Sequence, residues 1–252
     1  TWTKMPNMKY KRRGHVAIYS EYSDPRIYVF GGSNNDNYLP LCEYFDVGGS
    51  EWTLVEAQMI SPRIEFGAAL LDFDTVILSG GYDKKSLSSC EMFNLSTHTY
   101  SSFPDNLEAR DAPAAVHYNN TVVVIGGSSE LDNLATCEQF DRSENKWAPF
   151  AKLNTGASSA SAVVSDGKIY VVTQDMNVSV EVFDGSAWSI VTQLEARLDW
   201  CRVVAFDVGS LAFVDSKLNK LEVYDLSLNS FSSLPGPPLI GTYCYWFALV
   251  SF

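Results

Sequence analysis

Short apolar runs recur along the whole chain and are separated by polar clusters rich in Gly, Asn, Asp and Ser. Ile27-Tyr28-Val29-Phe30, Val76-Ile77-Leu78 and Val122-Val123-Val124-Ile125 are too short and too β-branched for helices, so each predicts a strand. Each is closed by a glycine pair, Gly31-Gly32, Gly80-Gly81 or Gly126-Gly127. The same kind of run returns without glycines at 169–174 and 211–216, where Thr173-Gln174 and Asp215-Ser216 stand instead. Softer runs, Ala68-Ala69-Leu70-Leu71 and Ser161-Ala162-Val163-Val164, precede two of these strands and predict a position where only small side chains fit. No apolar run approaches the ~20 residues needed to cross a bilayer as a helix.

The runs belong to a repeat. After each comes a strand carrying a glutamate with an aromatic two positions on: Glu43 and Phe45, Glu91 and Phe93, Glu138 and Phe140, Glu181 and Phe183, Glu222 and Tyr224. These glutamates stand 48, 47, 43 and 41 residues apart. A last aromatic closes each unit at Trp52, Tyr100, Trp147, Trp188 and Phe231. Units of this length built from short strands predict a closed array of stacked sheets, because a twisted four-stranded sheet is apolar on both faces and needs a neighbour on each.

Glycine pair, glutamate-aromatic strand and tryptophan, in that order, resemble the kelch repeat, and the resemblance covers essentially the whole chain. It implies an all-β propeller whose blades are four-stranded: an inner strand a, then b with the glycines, c with the glutamate, and an outer d with the tryptophan. Five complete blades are expected at about 14–59, 65–105, 112–153, 159–194 and 201–237. Residues 1–5 read as a strand d, since Trp2 to Arg13 spans 11 residues, as does Trp52 to Arg63; residues 243–252 read as a lone strand a. Together they suggest a sixth blade shared between the termini, its strands b and c missing from the given chain. A five-bladed ring with two spare strands is the alternative.

In such a propeller the d-to-a and b-to-c connections emerge on one face. The d-to-a connections repeat an arginine followed closely by an acid: Arg63 and Glu65, Arg110 and Asp111, Arg197 and Asp199, with Arg13 in the first. Trp200 and Tyr243 fall in the same layer, and the b-to-c connections add Asn35, Tyr38 and Tyr82. Arg, Trp and Tyr are the residues that most often dominate interface energy. These twelve positions are the candidate partner contacts. An arginine at one repeat register is equally what a structural ion pair leaves in a sequence, and both readings stand. The repeated glutamates read as scaffold, since a buried carboxylate must be paired. Cys42, Cys90 and Cys137 precede three of them, where Val180 and Leu221 stand in the others, and read as buried spacers.

Charge and composition narrow the function. A net charge of −12 opposes nucleic acid and anionic lipid as partners. Five cysteines without a CxxC pair suggest neither a disulfide framework nor zinc and fit a reducing, cytoplasmic setting. Sequons at Asn94, Asn119 and Asn177 are expected by accident in an Asn/Ser-rich chain. Kelch-like copper radical oxidases hold their metal with histidines and tyrosines; here His15, His98 and His117 fall at positions that do not converge, so no cofactor, metal or catalysis is expected. What the resemblance implies is a protein-interaction module, foremost the substrate-recognition end of a protein similar to the BTB-kelch adaptors of cullin ubiquitin ligases. An actin-binding scaffold, or an enzyme or sugar binder on the same fold, are the alternatives.

Overall fold

The computed structural model describes residues 5–22, 24–35, 37–174, 178–194, 202–207, 209–214, 220–228 and 230–235. Among these there is no helix, and the strands form five four-stranded antiparallel sheets, each in the order a-b-c-d. Blade 1 consists of Val16–Ser20, Arg26–Phe30, Cys42–Asp46 and Trp52–Leu54. Blade 2 is Gly67–Asp72, Thr75–Ser79, Cys90–Asn94 and Thr99–Phe103. Blade 3 is Ala114–Tyr118, Thr121–Ile125, Cys137–Asp141 and Lys146–Phe150. Blade 4 is Ser159–Ser165, Lys168–Gln174, Val178–Phe183 and Trp188–Leu194, and blade 5 is Arg202–Asp207, Ser210–Val214, Lys220–Asp225 and Ser230–Pro235. The expected split blade, 1–5 with 243–252, lies outside the described residues except for Met5.

Successive strands a lie side by side and line a central channel, whose cavity of about 220 Å³ is walled by Ala68, Ala114, Ala115, Ala160, Ser161 and Ala162 among others. Radial sheets crowd most at their inner edges, which is why the soft runs stand there. The core sits between blades. Phe30, Val76, Leu78 and Phe93 interlock blades 1 and 2; Ala69, Ile77, Val124 and Trp147 interlock blades 2 and 3; Ile125, Ala160, Val171 and Trp188 interlock blades 3 and 4. A sheet buried on both faces needs apolar residues at consecutive positions, and strand Thr121–Ile125 with its Val-Val-Val-Ile run meets that need.

The closing tryptophans tie each blade to the segment before it. Trp147 Nε1 donates to Pro104 O (2.8 Å), Trp188 Nε1 to Ala151 O (2.9 Å) and Trp52 Nε1 to Pro6 O (3.0 Å), so each indole is buried with its one donor satisfied. A ring of backbone bonds does the same at the channel mouth: Glu65 N to Gly14 O, Ala112 N to Glu65 O and Ala160 N to Ala112 O.

The glycine pairs end strand b. Gly80 and Gly81 have φ of +67° and +94°, and a Cβ on Gly80 would stand 2.7 Å from Arg110 O in the connection to blade 3. The left-handed pair turns the chain out of the sheet and onto the face. Blade 4 departs from this. With Thr173-Gln174 in place of glycines, strand b runs on through Gln174, and Ser159 pairs with Gln174 at its end.

Candidate functional site

The face formed by the b-to-c and d-to-a connections begins with the buried glutamates. In blade 2, Glu91 accepts the backbone N–H groups of Ile60 and Ser61 at 2.8 and 2.9 Å and the Arg63 guanidinium at 2.7 Å. Arg63 also donates to Gly80 O, Ser89 O, Ser61 O and Ser89 Oγ. Blade 3 repeats the arrangement with Glu138, the N–H groups of Leu107 and Glu108, and Arg110, which also donates to Gly126 O and Thr136 O. Each motif staples an incoming connection onto strands b and c of its own blade.

This corrects the reading of Arg63 and Arg110 as partner contacts. Both side chains are 0% exposed, and every N–H of each guanidinium is committed to the glutamate or the loop. The register of blade 1 is corrected too. Arg12, not Arg13, is the counterpart of Arg63: it pairs with Glu43 at 2.6 Å and donates to Gly31 O and Leu41 O, while Lys9 and Tyr10 supply the N–H groups. Arg13 instead aligns with Ile64 and Asp111, all three forming a bridge just past the glycines, and its side chain is exposed. Blade 4 has no such arginine. Asn154 and Thr155 each give a backbone N–H and a side-chain donor to Glu181, and Ala157 occupies the arginine position. Glu222 accepts from Ser233 Oγ at 2.7 Å.

Above this scaffold the structure gathers the remaining candidates of blades 1 to 3. The strand pair Ser33–Asn34 and Asn37–Tyr38 extends the first b-to-c connection, with exposed Asn35 at its tip in a left-handed conformation (φ 55°). Tyr38 meets Tyr82 edge to face with ring centroids 6.4 Å apart. Burial and the proximity of Tyr82 and Asp83 push the Tyr38 phenol up. Glu65 sits at the channel mouth, its carboxyl raised by burial and partly offset by Arg202 and Arg13. Asp111 lies within electrostatic reach; burial first, and Glu65 second, push it up to about 7, against a backbone N–H from Ala112. Arg197, Asp199, Trp200 and Tyr243 lie outside the described residues. One feature missed by the motif reading is Leu131, 90% exposed at the tip of the third b-to-c connection between Glu130 and Asp132. An apolar residue in a turn flanked by acids was its only signal.

A carboxyl held near 7 in the fold and below about 4 in the unfolded chain binds its proton more tightly when folded, so its ionisation costs stability as pH rises between those values. Asp111→Asn is therefore expected to stabilise the protein at about pH 8 by roughly 1–2 kcal/mol, allowing for solvent screening, and to be neutral near pH 4. Urea denaturation of both forms across that range checks it; a gain independent of pH would contradict the assignment.

Cys42, Cys90, Cys137 and the histidines do not join the Tyr38–Tyr82 face. Burial raises the thiols of Cys90 and Cys137 to about 11 and that of Cys42 further, so all three stay protonated. His98 lies among Tyr28, Tyr44 and Phe93, and His117 bonds Leu70 O, both toward the a-to-b and c-to-d turns at the other end of the strands from the Arg–Glu staples. His15 lines the channel, where burial and the cations of Arg12 and Arg202 lower it to about 4 and leave it neutral. Among the described residues no three His, Cys, Asp or Glu side chains are grouped to hold a metal ion.

No curated protein matches the chain. The family model described as the KLHDC2/KLHL20/DRC7 Kelch-repeats domain matches residues 1–174. With blades of four antiparallel strands around a channel and most of its length matched, the chain belongs to the kelch-repeat β-propeller family.

Proposed function

We propose that this propeller captures a protein partner on the face of its b-to-c and d-to-a connections, as the substrate-recognition part of a cullin-type ubiquitin ligase adaptor. The observation that carries the reading is the convergence of Tyr38, Tyr82, Arg13, Glu65 and Asp111 above a rigid scaffold that has consumed its own arginines. An edge-to-face tyrosine pair offers a large contact area that is already ordered, so little side-chain entropy remains to be lost on binding. Charged groups of both signs around the channel mouth would set the register of a peptide or loop laid across it. Kelch propellers serve generally as protein-binding modules.

Affinity capture from cell lysate, read by mass spectrometry, tests this. The protein as encoded by its gene is expected to recover a cullin together with a distinct set of further proteins. Tyr38→Ala with Tyr82→Ala is expected to lose the further proteins by about tenfold or more, as removal of central aromatic anchors does, with melting temperature unchanged within a few degrees. Recovery of the same proteins by the double variant would overturn the assignment of the face. Absence of any cullin from both would overturn the ligase role.

A further inference from the structure

We infer that a second docking surface lies on the opposite face of the propeller, at Phe73 and Tyr22, and that it receives a basic segment of a protein partner through an arginine or lysine laid on the Phe73 ring.

The a-to-b and c-to-d turns emerge on that face. In blades 3 and 4 the a-to-b turn is made by residues suited to it: Asn119 and Asn120 (φ 47° and 61°) and Asp166 and Gly167 (φ 49° and 70°), the left-handed pairs that two-residue hairpins favour. Blade 2 places Phe73 and Asp74 there instead, between Asp72 and Thr75. Nothing in hairpin geometry calls for phenylalanine, and its side chain is 73% exposed. Blade 1 has a longer connection, Glu21 to Pro25, and brings Tyr22 over to stack on Phe73 with centroids 5.6 Å apart and planes 30° apart. Tyr22 itself is anchored on the core between blades 1 and 2. The result is an aromatic step spanning two blades, with one face of Phe73 covered and the ring otherwise in water.

What surrounds the step selects its occupant. Glu21 and Asp24 flank Tyr22 and are exposed; Asp72 and Asp74 flank Phe73. Among the described residues Arg142 reaches this turn, and it donates to Leu71 O and Asp72 Oδ2, leaving Asp72 Oδ1 without a partner. The c-to-d turns of the same face add Asp141, Asp184 and Asp225, each accepting its own turn's N–H groups. An exposed aromatic ring beside Glu21, Asp24 and Asp74, which no cation among the described residues pairs, suits a guanidinium or ammonium, which gains from the ring face and from the acids at once. An acidic or purely apolar occupant would leave those carboxylates facing like charge or buried without partners.

The probe is an acetylated, amidated peptide of alternating arginine and glycine, titrated into isotopically labelled protein with chemical shifts as readout. Expected are saturable shifts centred on Tyr22, Phe73 and Asp74, about fivefold weaker binding for the same peptide carrying citrulline, and a similar loss in Phe73→Ala. Tyr38→Ala with Tyr82→Ala on the other face should leave this binding unchanged, so the result is independent of the proposed capture face. Phe73→Ala is expected to fold, since the ring is largely outside the core, and its melting curve checks that. Equal binding of the citrulline peptide would point to an apolar occupant and overturn the inference. So would binding indifferent to Phe73→Ala, or a concentration-dependent dimer abolished by that substitution, which would make a second copy of this chain the occupant.

Discussion

Arg110→Ala is expected to destabilise the propeller by about 3–5 kcal/mol, a large share of the ~5–15 kcal/mol that holds a domain together. The guanidinium is fully buried and does two things at once: it pairs with Glu138 at 2.7 Å and caps the carbonyls of Gly126 and Thr136 at 2.9 and 2.8 Å. Alanine leaves a carboxylate that is 3% exposed with only two backbone N–H groups, takes the donor from Gly126 O, and leaves Thr136 O with the Gly126 N–H at 3.2 Å. Lysine does not repair the loss, because a point charge with three donors cannot reproduce a planar fork that serves a carboxylate and two carbonyls. Arg110→Lys is therefore expected to recover less than half of the deficit. Removing Glu138 as well relieves the unpaired charge, so Arg110→Ala with Glu138→Ala should cost about 1–3 kcal/mol less than the two single losses added together. Urea denaturation of these variants and of Glu138→Ala alone measures this. Losses below about 1 kcal/mol for Arg110→Ala would show that the staple is incidental.

The same staple explains what was legible in the sequence and what was not. The glutamates could be read because a buried carboxylate tolerates almost no displacement, so it recurs at one register in every blade. The arginines recur for the same reason, but a repeated surface contact leaves an identical trace, and only burial separates the two. Spacing could not choose between Arg12 and Arg13. The ion pair spans 28 residues in blades 2 and 3 but 31 in blade 1, whose a-to-b connection is longer, and the backbone bridge of Arg13 with Ser33 settles the register. Blade 4 held a usable hint: Ala157 stands where the arginine would be, and Asn154-Thr155, two donor side chains, stand just before it. The Tyr38–Tyr82 contact depends on how two connections lean across a blade boundary, and no local pattern encodes that. Tyr22 on Phe73 is hidden for the same reason.

Gly81→Ala is expected to lower stability by about 2–4 kcal/mol, or roughly 5–15 °C in melting temperature for a domain of this size. Two separate costs add. At φ +94° any residue with a Cβ is strained, which accounts for about 1–2 kcal/mol. The added methyl would also stand 2.6 Å from Ile64 O and 2.7 Å from Phe66 Cβ, in backbone that cannot swing aside because Ile64 and Tyr82 bond each other through both N–H groups. Gly48 supplies the control, with φ +88° and no atom within 4 Å of a built Cβ. Gly48→Ala should pay the conformational cost alone, and the difference between the two variants isolates the cost of close approach. The consequence reaches the face, because the bonds that Gly81 permits are those that seat Tyr82 against Tyr38. Amide exchange should therefore accelerate at Ile64 and Tyr82 in Gly81→Ala and stay unchanged there in Gly48→Ala. Equal melting temperatures for the two variants would mean that the glycine serves only its own backbone angles, and that the face does not depend on how closely strand b ends against its neighbour.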